Sequence, residues 1–272
     1  MSLRSALEGR RGNSHRHQRP PHPHNLCGWL FGGYDDSGLL SDTWTYDGTD
    51  WTQASPANSP PARYGASMAY DDATSQLVLF GGADAGAAIF SDTWTFDGTD
   101  WSQASAGSPP ARSEASMAYD DATSQVVLFG GYGGGFLSDT WTFDGTDWTQ
   151  ASPAHSPRAR YGATMAYDAA TGQVVLFGGN GNSGLLSDTW TYDGTDWTQA
   201  SPVHSPQASR ADRGGHHRPG RAPAGAELPI RSRIAPQPSL IATGAQDCFY
   251  SHQSTTVRRS AGSRSGAWSS VR

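Results

Sequence analysis

Carboxylates dominate the chemistry this chain could offer. The run Asp-Gly-Thr-Asp occurs four times and places acids at Asp47/Asp50, Asp97/Asp100, Asp144/Asp147 and Asp193/Asp196. Paired carboxylates can hold a hard cation or hydrolyse a glycoside. A calcium-like ion, however, takes about six to eight oxygens, and a glycosidase needs two acids with distinct roles. Each run offers two carboxylates, and nearly every Asp recurs in every copy, so none stands out as acid or nucleophile. Asp-Gly also turns a chain by hydrogen bonding its own backbone, and fourfold recurrence favours that role. We therefore expect no metal and no cofactor.

Basic and nucleophilic chemistry is sparser. All 19 basic residues are Arg. The absence of Lys closes Walker-type phosphate loops, Schiff-base catalysis and Ser-x-x-Lys acyl enzymes. Cys27 and Cys248 lie outside the repeated part, which excludes a disulfide framework, a zinc cluster or a Cys nucleophile within it. Gly pairs at Gly32-Gly33, Gly81-Gly82, Gly130-Gly131 and Gly178-Gly179 invite a phosphate reading, but no helical pattern follows them. They read as strand ends that need free backbone angles. Eight of the ten Trp form Trp-x6-Trp pairs, Trp44/Trp51, Trp94/Trp101, Trp141/Trp148 and Trp190/Trp197. Such rings can stack on sugars, yet identical placement in every copy favours packing. Arg63, Arg112 and Arg160 recur at one repeat position and read as structural cations holding carboxylates or carbonyls.

The elements that position these residues come in a repeat of about 50 residues. The Gly pairs are spaced 49, 49 and 48 residues apart. One unit predicts four strands: an alternating strand over 64–70, an apolar strand over 77–80, a period-two strand over 92–96, and a short strand starting at Trp101. Asp71-Asp-Ala-Thr-Ser-Gln76 and Asp97-Gly98-Thr-Asp100 are the turns. No segment has helical periodicity. This is the pattern of an all-β propeller blade. Met68, Met117 and Met165 share one position of the first strand and read as core.

The block resembles kelch repeats, including those of the central domain of galactose oxidase. The matching residues are Leu79-Phe80-Gly81-Gly82, then Phe96, Trp101 and Pro-Ala-Arg63, with the same set around Gly130-Gly131 and Gly178-Gly179. The first unit carries Leu30-Phe31-Gly32-Gly33, Tyr46 and Trp51. The resemblance implies a partial propeller over residues 28–206, with three complete blades and three strands of another. It covers neither residues 1–27 nor residues 207–272, which read as disordered Arg-rich flanks. Galactose oxidase holds copper with Tyr, His and a Tyr–Cys cross-link. The block has no Cys and only His155 and His204, both in links between units, so that chemistry is not expected. The turns are similar to the Asp-box of sialidase-like propellers, but the residue order differs.

Charge follows the same boundaries. Residues 28–206 hold 20 Asp and one Glu against four Arg, a net of −17, whereas the whole chain is at −6. Such a block repels nucleic acid. No apolar run is long enough for a membrane helix, and the N-terminal residues lack a signal-peptide core. The abrupt ends fit either a truncated or frame-disrupted product or a natural kelch segment with disordered Arg-rich tails, and the open blade faces are expected to self-associate or to close as four blades. Residues 239–244 and 247–250 could add an odd strand. Variation between copies concentrates in the loops after the Gly pairs, and Tyr34, Asp35, Asp36, Asp84, Tyr132, Asn180 and Asn182 are the expected binding face. The function expected is a non-enzymatic scaffold for a protein or glycan. The alternative is a fragment of a glycan-active or oxidase enzyme whose catalytic residues lie elsewhere.

Overall fold

The computed structural model describes residues 28–105, 107–208 and 241–242. Every regular element among them is a β-strand. The first sheet contains β1 (Gly28–Asp35), β2 (Gly38–Tyr46) and β3 (Trp51–Gln53). The second runs through β4 (Ser67–Asp71), β5 (Gln76–Phe80), β6 (Thr93–Phe96) and β7 (Trp101–Gln103). The third is β8 (Ser116–Asp120), β9 (Gln125–Phe129), β10 (Thr140–Phe143) and β11 (Trp148–Gln150). The last unit has β12 (Arg160–Tyr161), β13 (Thr164–Asp168), β14 (Gln173–Phe177), β15 (Asn180–Gly181), β16 (Gly184–Leu185), β17 (Thr189–Tyr192) and β18 (Trp197–Ala200).

The second, third and last units each form a four-stranded antiparallel meander, in the orders β4-β5-β6-β7, β8-β9-β10-β11 and β13-β14-β17-β18. The first sheet gains a fourth member, because β19 (Ile241–Ala242) pairs antiparallel with β1, Trp29 opposite Ala242 and Leu30 opposite Ile241. The sequence left this first strand position empty. A distant segment fills it, within the 239–244 stretch singled out above. The other suggested strand, 247–250, and the reading of the flanks as disordered lie outside the described residues. We refer to the four sheets as blades 1 to 4. β19, β4, β8 and β13 are neighbours in that order and form the innermost rank.

Each blade closes through its own polar residues. Asp47 Oδ1 accepts the backbone N–H groups of Thr49 and Asp50, and Asp97, Asp144 and Asp193 repeat the arrangement. These carboxylates stabilise hairpins, which is why the run survives in every copy. Arg63, Arg112 and Arg160 are each only 1% exposed. Arg112 donates to both oxygens of Asp139 at 2.7 Å and to the Gly130 carbonyl at 2.9 Å, and Asp139 also accepts the Trp141 indole N–H at 2.7 Å. Arg63 with Asp92 and Trp94, and Arg160 with Asp188 and Trp190, repeat the same set. A buried guanidinium is tolerated because its donors are satisfied by a planar carboxylate and a carbonyl.

Blade-to-blade packing uses one contact three times. The Trp that opens each fourth strand inserts into the preceding blade and donates its indole N–H to a buried Thr. The pairs are Trp101 to Thr43, Trp148 to Thr93 and Trp197 to Thr140, all at 2.9 Å. Each indole also meets a Phe of that blade at 5.2–5.4 Å, Phe31, Phe80 and Phe129 in turn. The Gly pairs serve the same junction. A Cβ on Gly130 would lie 2.5 Å from the Arg160 carbonyl oxygen, and Gly131 N–H donates to that oxygen at 2.8 Å. Only glycine allows the next blade this close.

The outermost blades depart from the core roles expected of their residues. Trp51 is 37% exposed, because no blade precedes its own among the described residues. Met165 is half-buried where Met68 and Met117 are buried, because no blade follows β13 among the described residues.

Candidate functional site

Strand connections emerge on two opposite sides of each blade. One side carries the Asp turns, whose carboxylates are engaged with backbone. The other carries the loops between second and third strands, where the copies differ. In blade 1 this loop is a continuation of the hairpin, with Tyr34 opposite Leu39, Asp35 opposite Gly38, and Asp36 in the turn. In blade 4 it forms a small separate sheet, β12-β15-β16, with Asn180 opposite Leu185. Blades 2 and 3 reduce it to single bridges, Tyr64–Ala83–Ile89 and Ser113–Tyr132–Phe136. The three later loops are therefore one device: the segment entering a blade pairs with that blade's own loop.

This device brings some of the expected residues together and leaves others apart. Tyr132, 40% exposed, meets Phe136 at 6.0 Å and Tyr161 of the next blade at 6.3 Å. Phe136 and Tyr161 lie 5.2 Å apart, and Asn180 donates from Nδ2 to the Tyr161 hydroxyl at 2.9 Å. Asn182 is exposed on the tip of the same loop. Asp84 folds back on its own loop and accepts the Ala88 N–H at 2.8 Å. Tyr34, Asp35 and Asp36 sit on blade 1, where Asp35 accepts from Ser37.

Glu114 is the residue that sequence reasoning missed. Where blades 2 and 4 enter with Tyr64-Gly65 and Tyr161-Gly162, blade 3 enters with Ser113-Glu114. Gly65 and Gly162 have φ of 63° and 61°, and Glu114 adopts 52° at the same position. A left-handed backbone costs a side-chain-bearing residue roughly 1 kcal/mol or more. The strain is held by neighbours: Glu114 N–H donates to Gly65 O at 2.7 Å, and Gly162 N–H donates to Glu114 O at 2.8 Å. These bonds run from blade to blade beside the innermost strands. The half-buried side chain lies between the two glycines, with Oε2 3.5 Å from where a Cβ on Gly162 would stand. Burial raises the pKa of the Tyr64 hydroxyl, and the negative charges of Glu114 and Asp84 raise it further. The signal was available in the sequence as the single break in a repeated Tyr-Gly, and as the one Glu among 21 acids of the block.

The loop side of blades 3 and 4 therefore carries the three clustered rings and the Asn180 amide, with the Glu114 carboxylate set against Gly162, the residue after Tyr161. It can bind a cation by charge and by ring faces. A family model described as the Attractin/LZTR1 beta-propeller matches residues 28–212. No curated protein matches the chain.

Proposed function

Since the chain belongs to the Attractin/LZTR1 β-propeller family, we propose that it is a protein-interaction scaffold whose loop face around Glu114 binds a basic segment of a partner protein. One observation carries the reading. Glu114 keeps a charged side chain where the repeat places glycine, and strain retained against a cheaper alternative points to use. Tyr132, Phe136 and Tyr161 supply ring faces on the same loop side, Tyr161 next in the chain to the Gly162 that Glu114 packs on, and the −17 block steers a cationic partner toward it. The reading needs no catalysis: the scaffold binds and releases without turnover.

The test is binding of fluorescent peptides of equal length, one rich in Arg, one rich in Asp, together with a panel of neutral glycans. The Arg peptide is expected to bind, with affinity that falls as salt rises. A glycan that binds in its place, or an Asp peptide that binds equally well, contradicts the reading.

A further inference from the structure

The two end faces of the blade stack are the two halves of a contact the molecule already makes three times. We propose that a second copy of this chain docks head to tail, with Trp51 of one copy seated on Phe177 and Thr189 of the other.

The head is the side of blade 1 that faces no other blade among the described residues. It presents Trp51, already packed on Tyr46 at 5.1 Å and 35°. The inserted indoles are held the same way, Trp101 on Phe96 and Trp148 on Phe143, at 5.1 Å and 34–35°. The tail is the side of blade 4 that faces no other blade among the described residues. Its Phe177 and Thr189 occupy the positions of Phe31/Thr43, Phe80/Thr93 and Phe129/Thr140, which receive indoles at the internal junctions. Thr43, Thr93 and Thr140 are each 1% exposed under their Trp, whereas Thr189 is partly open and its hydroxyl receives no indole N–H among the described residues. Thr164 and Ala166 of β13 are exposed, although their counterparts in β4 and β8 are buried.

Two further pairs fall in register. At internal junctions an Asp-Gly turn rests on the first turn of the preceding blade: a Cβ on Gly145 would meet Thr74 Cγ2 at 2.5 Å, and one on Gly194 would meet Thr123 Cγ2 at 2.6 Å. The head offers the matching Gly48 turn, and the tail offers the exposed Asp168–Thr171 turn. Links between blades also clamp the next turn. Asn58 donates from its backbone N–H and Nδ2 to Asp100, and His155 pairs with Asp196 through its backbone N–H and Nδ1, all at 2.7 Å. His204 is exposed in the corresponding link after blade 4, and Asp50 holds the corresponding place at the head. The occupant that supplies an indole, an Asp-Gly turn and a carboxylate at these spacings is blade 1 of another copy. A head-to-tail contact is heterologous and closes when the rotation permits. Two copies of four blades close with about eight, the upper end of the common range.

The test uses the full chain and sedimentation velocity across micromolar concentrations. Wild type is expected to populate a two-copy species. Trp51→Ala removes the head anchor, and Ala166→Arg blocks the tail. Both positions are exposed in the single chain, so both variants should retain the wild-type circular dichroism spectrum. Each alone is expected to weaken self-association at least about tenfold, as loss of a buried Trp anchor does. An equimolar mixture should restore a two-copy species, since one variant keeps its tail and the other its head. A wild type that stays monomeric, variants that associate as wild type does, or a mixture that restores nothing overturns the proposal.

Discussion

Two side chains carry opposite kinds of cost. Arg112 is buried, and its removal strands the Asp139 carboxylate under Trp141. Arg112→Gln is expected to destabilise the fold by about 3 kcal/mol, the usual penalty for breaking a buried pair, and urea unfolding would show it. Arg112→Lys should restore little, because one ammonium cannot span both carboxylate oxygens and the Gly130 carbonyl. Glu114 runs the other way. Glu114→Gly should stabilise the protein by roughly 1 kcal/mol by relieving the left-handed backbone, while weakening binding of a cationic peptide. A loss of both stability and binding would reduce Glu114 to a packing residue. Neither role was equally visible beforehand. Arg112 announced itself by recurring with Arg63 and Arg160; Asp139 recurs too, with Asp92 and Asp188, but nothing local told it apart as the partner 27 residues away. Glu114 announced itself only by failing to recur, and sequence variation does not say which departures matter.

At the scale of strands and blades, the inserted Trp is the unit of cohesion. Trp148→Ala should cost about 3–5 kcal/mol, as for other buried aromatic truncations. Trp51→Ala should cost far less in the isolated chain, because Trp51 is exposed. Acid acts on the same scale. Burial raises the pKa of the Asp92, Asp139 and Asp188 carboxyls, but hydrogen bonds from Arg and Trp, together with the Arg charge, outweigh it and hold each below the ordinary carboxylate value. A folded pKa below the unfolded one gives stability that is complete above about pH 4 and is lost as pH falls through the folded value. Acid titration followed by Trp fluorescence should therefore show blades loosening below about pH 4. Asp139→Asn should remove part of that dependence while lowering stability at neutral pH. Blade boundaries, strand order and turn positions were legible in the sequence because alternation, Asp-Gly turns and Gly pairs each act within a few residues. The pairing of Ile241–Ala242 with β1 was not, because it joins segments about 200 residues apart with no repeat signal to connect them. The loop face was half legible. Variability located the loops, but the ring contact between Tyr132 and Tyr161 depends on how two blades meet.

At the scale of the whole molecule, the described residues form an acidic stack of kelch-like blades, with a proposed binding face on one side and two ends proposed to be complementary. The ends bear on oligomeric state, and the face bears on function. The two separate experimentally, because Trp51 and Ala166 lie on the outward faces of blades 1 and 4, whereas Glu114 lies at the internal junctions of blade 3 with blades 2 and 4. The central claim is that the loop face recognises a cation through Glu114 in particular, beyond the general attraction of an acidic block. The most direct measurement is fluorescence anisotropy of a labelled hexa-arginine probe against three proteins of matched concentration: wild type, Glu114→Gln and Asp147→Asn. The two variants lose the same charge, but Asp147 sits on an Asp turn at the opposite side of the same blade. The account predicts that Glu114→Gln weakens binding by about tenfold or more, in line with loss of a specific charge-assisted contact of roughly 1.5 kcal/mol, while Asp147→Asn leaves it close to wild type. Equal weakening by both variants would mean that the probe senses only net charge, and would contradict a site at Glu114.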